Sequence, residues 1–129
     1  MNFQLFNIDT FKDNRGFLKK ILQIDLLNKI DFTLEEIYLV QFKDNKTARG
    51  NHYHKETREL FYCIKGELNI TLKYLNGYTS FTLNESSNKI LFVNKFVQHS
   101  FKSTKDDTLL LAVSDRMYNA NDDDTYFDL

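Results

Sequence analysis

An all-β fold, a sandwich or barrel of short strands, is what the sequence predicts, on three observations. Aromatic and β-branched residues recur in short runs, the clearest runs alternate apolar and polar with period two, and only one brief stretch suits a helix. Phe3–Ile8 and Phe17–Ile24 are the first two strands, each dominated by Phe, Leu and Ile. Asp25–Lys29 is the one plausible helix, with Asp25 as its N-cap, and it is too short to change the class. Glu36–Phe42 and Leu60–Ile64 follow as strands, with a polar loop at Asp44–Ala48 after the first. In Glu67–Tyr74, Leu68, Ile70 and Leu72 fall on one face and Glu67, Asn69, Thr71 and Lys73 on the other, which makes a half-buried strand. The Asn-Gly of "YLNGY" joins it to Tyr78–Leu83 and predicts a type I′ hairpin, whose two central residues both need positive φ. Lys89–Val93, the strand-like "FVQHSF" and Thr108–Val113 complete the set, with loops at Asn84–Asn88 and Lys102–Asp107. "NANDDDTYFDL" is an acidic tail to which the sequence assigns no order.

At 129 residues the chain is read as one domain, 1–129, large enough to bury a core without disulfides. Its 42% hydrophobic and 27% charged residues are those of a folded protein rather than a disordered one. With 17 basic against 18 acidic residues there is no global field to hold a nucleic-acid backbone or an anionic membrane, so a small partner is expected. The lone cysteine, Cys63, cannot form an internal disulfide and fits a reducing compartment, with the cytoplasm as the expectation. Neither a signal-like N-terminus nor an apolar run of membrane-spanning length is present, so no targeting or anchoring is expected.

Two of the three histidines, His52 and His54, flank Tyr53. On a strand both imidazoles project to one face and can converge on one site. Glu59 and Gly66 follow, and His99 lies in "FVQHSF". This spacing, H-x-H-x4-E-x6-G with a distant histidine, resembles the cupin barrel, an RmlC-like jelly roll or double-stranded β-helix. In a metal-binding cupin, His52, His54, Glu59 and His99 would hold a borderline divalent ion. The plainer alternative is that the histidines fill a polar interior.

Further stretches narrow the likeness: "DNRG" at Asp13–Gly16, "EIYLV" at Glu36–Val40, "ARGNHYHK" at Ala48–Lys55, "CIKGEL", "VQHSF" and "LLAVSD". In order and spacing they resemble the dTDP-sugar 3,4-ketoisomerases, the WxcM-like sugar isomerases of the cupin superfamily. Related 3,5-epimerases also carry Arg-Gly-x-His but usually have Gln where this chain has His54. The resemblance implies a cofactor-free tautomerisation of a dTDP-4-keto-6-deoxyglucose, moving a proton between C3 and C4 through an enediol, for deoxyamino-sugar and cell-surface glycan synthesis. It makes His52 the principal base and His54 its orienting or relaying partner. Imidazole suits the work, since its unperturbed pKa of about 6.5 lets it accept and return a proton near neutrality.

By the same likeness Tyr38 donates to the developing enediolate oxygen, Arg15 and Arg49 grip the diphosphate, and His99 contacts substrate. The family is dimeric, often with exchanged N-terminal strands, and "NFQLFNI" is apolar enough for that. Three departures stand out. Glu59 replaces a family Gln and restores the full cupin metal set, or pairs with His54 or His99; Gln98 replaces a Trp; and the double tyrosine after Ser114-Asp115 is missing. A metal-dependent small-molecule cupin and a non-catalytic sugar-binding cupin are the competing readings.

Overall fold

The computed structural model describes residues 1–129, and its backbone is mostly extended. The strands are β1 (Phe3–Asn7), β2 (Asp9–Asp13), β3 (Gly16–Lys20), β4 (Glu36–Phe42), β5 (Ala48–His52), β6 (Glu59–Lys65), β7 (Glu67–Tyr74), β8 (Gly77–Asn84), β9 (Lys89–Val93), β10 (Gln98–Ser103) and β11 (Thr108–Ser114). One helix, α1 (Ile24–Lys29), lies between β3 and β4. A five-stranded sheet of order β1-β9-β6-β11-β4 and a four-stranded sheet of order β5-β10-β7-β8 form the body, and β2-β3 stands as a separate two-stranded ribbon. This is the antiparallel sandwich that the alternating runs predict.

The alternation decides where the core lies. Leu68, Ile70 and Leu72 of β7 are fully buried, and they meet Phe61, Cys63, Leu91, Phe101, Leu110 and Ala112 between the sheets. Each Leu, Ile or Phe among them contributes roughly 1.5–3 kcal/mol by leaving water. Central strand β6 is apolar on both faces: Phe61 and Cys63 point between the sheets, while Leu60 and Tyr62 join Ile30, Phe32, Ile90, Phe92 and Val113 in a second cluster beyond. Loop residues Ile21 and Leu22, with Leu26 and Leu27 of α1, pack against that cluster. Burial pushes the Cys63 thiol up to about 11, so it behaves as an inert core residue. By the same two-residue period, Glu59 points inward with Phe61 and Cys63, at the end of β6 where the sandwich is open.

Several sequence expectations need correction. The run Phe17–Ile24 is extended only to Lys20, because Ile21 and Leu22 serve the second cluster from a loop. Strand β2 escapes notice because its "DTFKD" holds one apolar residue, and that one is exposed. Ala48 and the pair Lys102–Ser103, read as loop, are strand residues of β5 and β10. Gln23, not Asp25, is the N-cap of α1, and its side chain makes no capping bond; Asp25 sits in the first turn, where its charge favours the helix dipole. The hairpin forms, but Tyr74 pairs with Gly77, so its turn is Leu75–Asn76 and no residue of it has positive φ. It is therefore not a type I′ turn. Strand β1 pairs with β9 at the edge of the five-stranded sheet. No helix is long and apolar enough to cross a membrane.

Candidate active site

The site is built where β5 meets β10. His99 lies opposite His52 and Ser100 opposite Gly50, so Asn51 is an extra residue that bulges from β5. Its φ of 62° is tolerable for Asn, and bulges of this kind re-aim the side chain that follows. Gly50 is required beside it: φ is +88°, and a Cβ would stand 2.9 Å from the carbonyl oxygen of His99. The bulge turns His52 inward, against His99 with ring centroids 4.8 Å apart. His54 lies beyond the end of β5, yet its ring comes within 5.0 Å of His52. The convergence expected from simple alternation is thus achieved by a bulge.

Glu59 is the hub of these groups. Its Oε1 lies 2.8 Å from Nε2 of His54 and 3.3 Å from Nε2 of His99. Neither contact has the alignment of a good hydrogen bond. Oε2 accepts from the Tyr38 hydroxyl at 2.8 Å and from Ser114 Oγ at 3.4 Å. Burial opposes ionisation of Glu59, but His54 and His99 more than offset it and hold the carboxyl well below its ordinary range. Burial likewise opposes charge on His54, and Glu59 with Asp124 outweighs it, so the imidazole pKa is raised. His52 goes the other way: burial, His99 and His54 push it down to about 4. Burial and the Glu59 charge hold the Tyr38 phenol far above its usual value. Neighbouring imidazoles are thus pushed in opposite directions, the kind of divergence that separates acid from base roles.

Tyr38, His52, His54, Glu59 and Ser114 line one cleft of about 450 Å³. The C-terminal segment lines it too, through Tyr118 and Asp122–Thr125, and Arg116 is its one arginine or lysine. The tail left unassigned by the sequence is ordered here: Tyr126 pairs with Tyr53, and Asp124 is bonded to the residues after His54. Three sequence-derived substrate contacts lie elsewhere. Arg15 is at the tip of the β2-β3 ribbon, 86% exposed and paired with Asp13, because that ribbon projects from the body. Arg49 lies opposite the buried Phe101, and its guanidinium sits over the ring of Phe42 rather than in the lining of the cleft. His99 is 2% exposed and stands behind the cleft against Glu59, donating from Nδ1 to the carbonyl of Val97. Arg116 carries no motif of its own, and only its position just after β11 could have singled it out.

The ring nitrogens of His52, His54 and His99 lie within 4.8 Å of one another, and the misaligned Oε1 of Glu59 is buried beside them. As a donor set these four suit a borderline divalent ion.

An antiparallel jelly roll with histidines and a carboxylate gathered at its open end defines a cupin-type fold. The chain belongs to the family described as FdtA: WxcM-like, C-terminal, whose model matches residues 1–128. A TDP-4-oxo-6-deoxy-α-D-glucose-3,4-oxoisomerase of Aneurinibacillus thermoaerophilus is 24% identical over 122 residues, covering 95% of this chain and 85% of the relative. The crystal structure of a 3,4-ketoisomerase from Helicobacter canadensis is 27% identical with a TM-score of 0.83, covering 99% of this chain and 92% of that one. A dTDP-4-dehydrorhamnose 3,5-epimerase from Bacillus anthracis, at 18% identity, superposes with a TM-score of 0.87 over 99% of this chain and 79% of its own, which shows the shared fold.

Proposed function

We propose that the protein is a 3,4-ketoisomerase acting on a TDP-linked 4-keto-6-deoxyglucose. The observation that carries this reading is the convergence of His52 and His54 in one cleft, ring centroids 5.0 Å apart, in environments that push the first imidazole's pKa down and the second's up. His52 takes the proton from C3, and the C–H electrons form the C3–C4 double bond of the enediol as His54 gives its Nε2 proton to the C4 oxygen. The reverse sequence at the neighbouring carbon completes the reaction: the C3 hydroxyl returns its proton to His54, a ketone forms at C3, and C4 takes the proton from His52. Atoms and charge balance with no outside reagent. Proton transfer by such groups is worth roughly 10²–10⁴ in rate. Tyr38 spends its proton on Glu59, so it faces substrate as an acceptor rather than the donor expected from the resemblance. Arg116 is the cation placed to meet the diphosphate, through the fork geometry that suits it to phosphate.

The 3-keto product is chemically ready for amination, which supports a place in deoxyamino-sugar and lipopolysaccharide synthesis; the lone buried thiol supports the cytoplasm. Homodimerisation is supported by the unpartnered β2-β3 ribbon, whose Phe11 and Phe17 are 58% and 68% exposed. Mass measurement by light scattering tests it.

Incubation with TDP-4-keto-6-deoxyglucose in deuterated buffer tests the activity. Isomer formation with exchange at C3, abolished in His52→Ala, is expected; exchange at C5 as well would make the protein an epimerase, and binding without exchange a mere receptor. The buried Glu59 oxygen keeps a second reading alive. A divalent ion held by His52, His54, Glu59 and His99 would polarise a carbonyl oxygen as a Lewis acid. Stoichiometric metal in protein purified without chelator would favour that reading.

A further inference from the structure

The segment after β11 contributes nothing to the core: the two apolar clusters end at Ala112 and Val113. Its bonds go instead to the residues on either side of His54. Before it, the amide of Tyr53 donates to the carbonyl of Tyr126 at 2.9 Å, and the amide of Tyr126 returns a bond to the carbonyl of Tyr53 at 3.0 Å. After it, the Asp124 carboxylate accepts from the amides of Lys55 and Glu56 at 3.0 and 2.8 Å and from the Thr57 hydroxyl at 2.9 Å. Asp124 is only 9% exposed, and its charge-assisted bonds are the strong kind. The chain is pinned again where the amide of Leu129 donates to Gln98 Oε1 at 2.9 Å. Between the pins, the main-chain carbonyl of Asp124 lies 2.7 Å from Nδ1 of His54.

That last contact bears on the chemistry. With Nδ1–H donating to a fixed carbonyl, the ring cannot flip, and Nε2 is the nitrogen that faces Glu59 and the cleft. Without the carbonyl, Nδ1 would face water and the ring would be free to rotate away. Glu59 alone cannot fix it, because the Nε2 contact is poorly aligned.

We propose that Asp124 is a positioning residue for His54: its carboxylate clamps the C-terminal strap to the turn at residues 55–57, and its carbonyl holds the Nδ1–H so that Nε2 is aimed into the cleft. The strap is thus a working part of the active site. The assignment of a reaction to that geometry rests on the ketoisomerase reading; the geometry itself does not.

The experiment uses protein with ¹⁵N-labelled histidine and follows the Nδ1–H proton of His54, identified by its loss in His54→Asn. A downfield, slowly exchanging signal is expected in the unchanged protein and in Asp128→Asn, an exposed strap position. It should disappear in Asp124→Ala and in a chain ending at Ala120, and kcat on the 4-keto sugar should fall about 10²-fold, the scale of a small misplacement of a catalytic group, with a much smaller change in KM. Asp124→Asn, which keeps one acceptor oxygen, should recover part of both. Persistence of the signal and of full kcat in folded Asp124→Ala overturns the proposal. Should the shortened chain fail to fold, full-length Asp124→Ala decides on the same signal. If no isomerisation occurs at all, the ketoisomerase reading fails, while the proton signal still reports whether the strap holds the ring.

Discussion

The hydroxyl of Tyr38 donates its proton to Oε2 of Glu59 at 2.8 Å. A donor already committed to a buried carboxylate stabilises little charge on a substrate oxygen. Removing a true oxyanion donor costs about 10²–10³ in kcat. Tyr38→Phe is expected to lower kcat by only about tenfold, by leaving Oε2 with Ser114 as its one remaining donor. Steady-state kinetics on the 4-keto sugar give the answer, and a loss beyond 10²-fold would restore Tyr38 as the direct donor.

The two histidines should write their opposite environments into the pH profile. His52 works as a base only when neutral, so kcat/KM should fall as pH drops through its depressed pKa of about 4. His54 works as an acid only when protonated, so activity should fall on the alkaline side, above the ordinary histidine range because its pKa is raised. Glu59→Gln removes the largest group that holds His54 charged, so the alkaline limb should move to lower pH. An unmoved limb would mean that Glu59 does not govern the protonation of His54.

The sheets are legible in the sequence because one buried face gives a period-two signal, as in Leu68, Ile70 and Leu72. The cluster at the open end is legible for a related reason, since chemistry-bearing residues are few and their spacing is fixed by the sheets. Glu59 is visible as a departure, and its choice between pairing with His54 and ligating an ion needed coordinates. Arg15 and Arg49 are legible as motif residues, but a motif does not say what a side chain touches: Arg15 pairs with Asp13, and Arg49 lies over Phe42. The tail is opaque for a physical reason: its order comes from Asp124 capping amides 68 and 69 residues away in sequence, and composition reports only its charge.

Arg116 holds Asp122 at 2.5 Å and lies 3.7 Å from Asp124, in a cleft whose carboxylates are those of Glu36, Glu59, Asp122, Asp123 and Asp124. A diphosphate entering there meets one arginine among several carboxylates. Arg116→Ala should therefore raise KM for the nucleotide sugar by about 10- to 100-fold, the equivalent of a charged hydrogen bond worth roughly 1.5–3 kcal/mol. The change in kcat should be smaller. Isothermal titration with TDP alone checks the assignment, and unchanged affinity would move the diphosphate away from Arg116.

Gly66 separates the fold from the chemistry. It joins β6 to β7 at a φ of +84°, and a Cβ there would come 2.9 Å from the Cα of Thr108. Thr108 is fully buried, and its hydroxyl accepts from the amide of Glu67 at 3.2 Å and donates to the carbonyl of Lys105 at 2.8 Å, so it has no direction in which to yield. Alanine would meet two costs at once. Left-handed backbone costs a non-glycine residue about 1–2 kcal/mol, and overpacking a tight site adds about 1–3 kcal/mol. Gly66→Ala should thus lower unfolding stability by roughly 2–5 kcal/mol, read as a lower urea midpoint with little change in slope. Glu59 stands at the opposite end of β6, about 20 Å away at the usual rise of an extended strand. The folded fraction should keep its kcat and KM, and a variant of unchanged stability but lost activity would show that this turn serves the site rather than the fold.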